Sequence, residues 1–159
     1  MDIAEPIAAD LLVKNAWIVT MDAERRVFRD GAIAVMGDRI IAVGPSAEVE
    51  RQISAKETID GHDRFVVTPG FVNCHIHITG EPITRGVVPD DADWRTNVFE
   101  WLIPSYLAQS PAEEQTAATL AALEMLRTGT TCFVEAGTIL DLGAVMDALA
   151  ATGIRGRLG

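Results

Sequence analysis

The chain has 159 residues, 48% hydrophobic and 23% charged, with 13 Lys and Arg against 23 Asp and Glu for a formal charge of -10. Such an acidic surface excludes nucleic-acid binding by bulk charge, and the apolar content excludes a chain that stays open for want of a core. Two widely spaced cysteines, Cys74 and Cys132, with no basic, apolar leader, indicate the reducing cytoplasm, and no apolar run approaches the roughly 18 residues of a membrane span.

Residues 11–19 are densely apolar, and a second stretch, 31–35, passes through Gly37 and Asp38 into 39–43. This pattern predicts strands joined by a tight turn, because glycine and aspartate tolerate positive φ and the β-branched Ile33, Val35, Ile40, Ile41 and Val43 suit a pleated surface. A short polar helix is expected over 46–53. Extended segments follow at 57–59 and 65–68, with Gly61, His62 and Asp63 as the turn between them. Residues 1–68 thus read as a β-rich domain, in which His62 is an exposed turn residue.

The character changes at Pro69-Gly70. Residues 71–77 form a short apolar strand ending in histidines, and the polar loop 79–93 after it is long enough to carry function. Trp94, Val98, Trp101 and Leu102 recur at helical spacing. They predict an amphipathic helix that buries its tryptophans and that Pro104 bends or ends. Ser110-Pro111-Ala112-Glu113 is a capping box with proline at the first helical position. The helix it opens should run to about Arg127, turn Leu120, Leu123 and Leu126 inward and stop near Gly129. A buried strand is expected over 130–135, then a helix capped by Asp141 and closed by Gly153, then a strand from Ile154. Strand, helices, strand, helix, strand is the order of right-handed β/α crossovers in a parallel sheet. A (β/α)₈ barrel takes about 250 residues, so 69–159 would be its first part.

Alternate residues of a strand share a face, so His75 and His77 project together while Ile76 points away. At the C-terminal end of a parallel strand, where β/α enzymes keep their sites, two neutral imidazoles can bind one divalent cation. Cys74 faces the other side. His-x-His alone is also compatible with two strand-end residues bonded to backbone or water, so its context decides.

That context is the string Pro69-Gly70-Phe71-Val72-Asn73-Cys74-His75-Ile76-His77 behind a β-rich segment. It resembles the first metal-binding strand of the amidohydrolase superfamily. Thr84-Arg85-Gly86, Phe99-Glu100-Trp101-Leu102 and the run from Glu124 to Phe133 are similar to the branch that holds cytosine and guanine deaminases, adenosine-analogue deaminases and triazine hydrolases. The resemblance implies an α/β fold in which a distorted (β/α)₈ TIM-like barrel is preceded by a small β-sandwich built from both chain ends. His75 and His77 match the first two metal ligands. Zinc is the expected metal, with iron as the alternative. The family's later histidines and carboxylates have no counterpart in these residues, so no catalytic acid or base is assigned within the chain and residues 1–159 alone should be inactive.

The reaction implied is hydrolysis of a carbon–nitrogen bond other than a peptide bond. Metal-activated water would remove an amino, alkylamino or chloro substituent from a small heterocyclic substrate, in a protein that is a homo-oligomer at full length. Arg85 and Trp94, in or beside the long loop, and Glu135, on the face of Thr131 and Phe133, are candidate substrate contacts; a structural role is an equal reading of Glu135. Two alternatives stay open: a cyclic-amide hydrolase of the dihydroorotase or hydantoinase type, and a non-catalytic module. Uncovered sheet edges and helix faces would make residues 1–159 poorly soluble by themselves.

Overall fold

The computed structural model describes residues 5–159 and divides at Pro69 into two units, Met1–Pro69 and Gly70–Gly159. Unit 1 is a mixed five-stranded sheet of β1 (Ile7–Val19), β2 (Val27–Met36), β3 (Arg39–Pro45), β4 (Ile53–Asp60) and the two-residue β5 (Val66–Val67), with helix α1 (Ser46–Gln52) between β3 and β4. The path is β3-β2-β1-β4, and β5 pairs with β1. The β2–β3 hairpin turns at Gly37, whose φ of 58° is the left-handed conformation the glycine was expected to supply. The register of β1 against β2 shifts between Val13 and Ala16, where Asn15 takes φ 49° and donates its backbone N–H to Ser46 Oγ at 3.0 Å. Asparagine accepts that conformation more readily than most residues. Ala9, Leu12, Ala32, Ala34 and Ile53 form the core with Val49 of α1, small side chains that let the helix lie close to the sheet. Among the described residues this unit is one sheet.

Unit 2 carries three parallel strands, β6 (Phe71–Ile76), β7 (Thr130–Glu135) and β8 (Arg155–Arg157), in the order β6-β7-β8. The crossovers are α5 (Pro111–Arg127) and α6 (Leu142–Thr152). Local chemistry fixes their ends. Ser110 Oγ accepts from Glu113 N at 3.4 Å while Glu113 Oε2 accepts from Ser110 N at 2.8 Å, the expected reciprocal cap. Gly129, at φ 90°, follows α5, and Gly153, at φ 74°, closes α6. Asp141 accepts from Ala144 N at 2.9 Å to start α6.

Two sequence expectations fail here for identifiable reasons. The inward face of α5 is Ala118, Ala121, Ala122 and Met125, packed with Ile76, Ile78, Phe133, Val145, Ala148 and Ile154. Leu120 and Leu123 stay 54% and 45% exposed. Alanines at i, i+3 and i+4 allow the helix to approach β6, β7 and α6 closely, and leucines on that stripe would hold it off. The helix before α5 also differs from expectation. It runs as α3 (Trp94–Thr96), a π-helical turn (Asn97–Leu102) and α4 (Ile103–Leu107), so Pro104 does not end it. Proline lacks an N–H, and the ladder adapts by widening: Ile103 N donates to Val98 O, five residues back. The tryptophans are not buried: Trp94 is 74% exposed, and Trp101 is exposed along the rim of a cleft.

Candidate metal and substrate site

The site is built at the C-terminal end of β6. Against β7, Asn73 pairs with Phe133 but Ile76 pairs with Glu135, so three steps on one strand oppose two on the other. This bulge bends β6 at Cys74 and His75 and re-aims the residues that follow, as bulges beside functional sites do. His75 N donates to Asn73 Oδ1 at 3.2 Å, which holds the bent segment. The rings of His75, within the bulge, and His77, beyond it, lie 5.1 Å apart between centroids with their planes at 86°.

Two imidazoles that bind one cation through ring nitrogens at about 2.1 Å, at a tetrahedral angle, have centroids about 5 Å apart. The observed pair fits that requirement. His77 Nδ1 is buried with no hydrogen-bond partner, and so is the hydroxyl of Thr79. An orphaned buried ring nitrogen is costly unless something outside the polypeptide satisfies it. Among the described residues, no group of three or more His, Cys, Asp or Glu comes together around a metal position. The described residues therefore offer two candidate ligands, fewer than the three of a catalytic zinc site.

The candidate substrate contacts are placed differently. Arg85, just after the short helix α2 (Glu81–Thr84), spends its guanidinium on Glu124 of α5, with Nη1 2.8 Å from both carboxylate oxygens. That pairing holds the Glu124 carboxyl below its usual range, through the hydrogen bond first and then the charge, and raises Arg85 in turn. Trp94 projects outward, edge-on to Phe99 at 6.0 Å, on a helix start capped by Asp93, which accepts from Arg95 N and Thr96 N. Glu135 is 4% exposed and accepts from Gly137 N, Thr138 N and Thr138 Oγ1, so its carboxylate ties down the loop that leaves β7.

Two residues near this strand end or its connecting loops had no signal in the sequence. Tyr106 of α4 comes back over the strand end, its ring centroid 6.2 Å from that of His77. Burial is the main cause that pushes its phenol up, reinforced by the charges of Glu81 and Glu135. Glu114 is 1% exposed, and its two carboxylate oxygens accept from Leu140 N at 3.2 Å and Asp141 N at 2.8 Å. Both depend on partners distant in the chain, which no local pattern encodes. A cleft of about 680 Å³, lined by Ile83, Val87, Trp101, Gln109, Ala117 and Leu120 among others, includes neither histidine.

Comparison with known proteins agrees with this picture. The amidohydrolase family model matches residues 66–158. A 5-methylthioadenosine/S-adenosylhomocysteine deaminase of Nitratidesulfovibrio vulgaris is 37% identical over 134 residues, 83% of this chain and 29% of that protein. A 5'-deoxyadenosine deaminase of Methanosarcina mazei is 34% identical over 154 residues, 94% of this chain and 33% of that protein. The crystal structure of an adenosine deaminase from Xanthomonas campestris with bound zinc superposes with a TM-score of 0.83 at 29% identity, over 95% of this chain and 34% of that one. The chain thus spans about a third of the length of the curated relatives it matches. No helix among the described residues is long and apolar enough to cross a membrane.

Proposed function

The chain belongs to the amidohydrolase family, and on that premise we propose that it is the N-terminal part of a metal-dependent deaminase acting on amino-substituted purine nucleosides. The observation that carries the reading is the His75–His77 pair, with rings 5.1 Å apart at the C-terminal end of a parallel strand. The names of relatives at 34–37% identity support the substrate class, and zinc in the Xanthomonas campestris structure supports the choice of metal. Residues 1–68 are read as the N-terminal layer of a composite β-sandwich and 69–159 as the opening strands and helices of a (β/α)₈ barrel. The whole protein is read as a cytoplasmic homo-oligomer.

His75 and His77 would hold the cation. When bound, that cation supplies Lewis acidity and a water that is deprotonated near neutral pH. The net reaction replaces the exocyclic amino group by oxygen: water is consumed and ammonia released. The fold brings the imidazoles to the strand end, and the loops held by Glu135, Glu114 and Arg85 shape the rim around them. Arg85 and Glu135 are proposed to act on substrate through the loops they hold, and Trp94 through its exposed ring.

The test is made on the full-length protein. Metal analysis should find stoichiometric zinc, and 5'-deoxyadenosine and 5-methylthioadenosine should release ammonia. A metal-free protein inert toward both would end the deaminase reading.

A further inference from the structure

We propose that Tyr106 forms one wall of the substrate site, a planar face against which the purine ring of a nucleoside packs beside His77. The proposal rests on the deaminase reading for the identity of the ligand, and on separate geometry for the wall itself.

Tyr106 does not merely pass near the histidines. A Cβ built on Gly80 would overlap Cε1, Cζ and Oη of the Tyr106 ring, so the ring lies directly on the Gly80 backbone. Gly80 has ordinary right-handed angles, φ -96° and ψ -34°, so its backbone does not require glycine. The close approach of the ring does. The platform is also tied to the proposed ligand, because Gly80 N and Glu81 N both donate to His77 O at 2.9 Å. A turn thus fixes the position of the tyrosine face relative to the imidazole.

The Tyr106 and His77 planes are inclined at 47°, with centroids 6.2 Å apart, too oblique for the two rings to complete each other's packing. Tyr106 is half-buried, and among the described residues its hydroxyl makes no hydrogen bond to protein. A ring seated against a glycine backbone, with a hydroxyl that no protein group bonds and an imidazole beside it, suits a flat nitrogen heterocycle. The face packs on the ring, and the hydroxyl donates to a ring nitrogen or a ribose oxygen.

The experiment uses the full-length protein and its Tyr106→Leu, Tyr106→Phe and Gly80→Ala variants. The readouts are zinc content, equilibrium binding of inosine, which cannot be deaminated, and KM and kcat for 5'-deoxyadenosine. Zinc content should be unchanged. Loss of the ring should weaken inosine binding about tenfold, loss of the hydroxyl alone about threefold to fivefold. KM should rise in step while kcat stays within about threefold of the parent, and Gly80→Ala should resemble Tyr106→Leu because its methyl displaces the ring. Inosine binding within twofold of the parent in both Tyr106→Leu and Tyr106→Phe would overturn the proposal, as would a parent that does not bind inosine. If Tyr106→Leu fails to fold, Gly80→Ala decides for the ring, which its methyl displaces, and inosine binding within twofold of the parent in that variant overturns the wall; Tyr106→Phe then reads the hydroxyl alone. A Tyr106→Phe protein that loses zinc but binds inosine as the parent does would also overturn it, by moving the role to the metal site. Should the parent bind inosine in a Tyr106-dependent way yet lack zinc and turnover, the wall stands and the deaminase reading falls.

Discussion

The imidazoles of His75 and His77 stand edge to face, 5.1 Å between centroids, at a bulge that bends β6. Replacing either by alanine in the full-length protein leaves one ligand from this strand. Zinc affinity should then fall by at least about a hundredfold, more than the loss of an outer partner of a metal ligand costs. Zinc content after dialysis against a weak chelator, with deaminase activity, measures this. Full retention of zinc in both variants would show that the two rings do not share a cation.

Glu114 is a second point at which one side chain fixes the site's surroundings. Its buried carboxylate takes two backbone N–H groups, those of Leu140 and Asp141, at the start of α6. Glu114→Ala strands both donors and should cost about 2 to 3 kcal/mol, whereas Glu114→Gln keeps one acceptor and should cost less. Denaturant unfolding gives the magnitudes, and amide exchange at 140 and 141 shows whether the loss is local.

The capping box of α5 should show in the acid limb of stability. The backbone N–H of Ser110, then its hydroxyl, hold the Glu113 carboxyl below its ordinary value. A depressed carboxyl contributes stability that is complete above the unfolded pKa and is lost as pH falls through the folded one. The contribution should therefore fade from about pH 4.5 downward, and Glu113→Gln should abolish that pH dependence while keeping a weaker cap. The Ser110 amide shift, followed by NMR across this range, reads it directly. A shift that titrates with a midpoint above 4.5 contradicts the assignment.

Residues 1–159 expressed by themselves should associate. Phe71, Val72 and Val134 of the parallel sheet, and Leu120 and Leu123 of α5, are exposed, and both outer strands present open edges. Sedimentation across a concentration series tests this. A stable monomer that unfolds in one sharp transition would show that these faces need no cover.

Much of the architecture was legible because its signals are local. The Ser110–Glu113 box, Gly129, Gly153, Asp141 and the Gly37 turn each act within a few residues, and all stand where the pattern placed them. The face of α5 was misjudged because hydrophobicity favours leucine inside, while close helix-to-sheet packing favours alanine. Of the two outcomes expected at Pro104, an end to the helix does not occur, because a helix can absorb a missing N–H with one wide turn.

By itself the sequence determined the order of the elements and the pairing of two histidines two residues apart, since backbone propensity and strand periodicity act at short range. Only the tertiary structure decided that β6 bulges at Cys74 and His75, that Glu114 and Arg85 are occupied in holding segments together, and that Tyr106 lies on Gly80 beside His77. Each of these contacts joins residues separated by tens of positions or set by a neighbouring strand, and their energy exists only once the chain has brought the partners together.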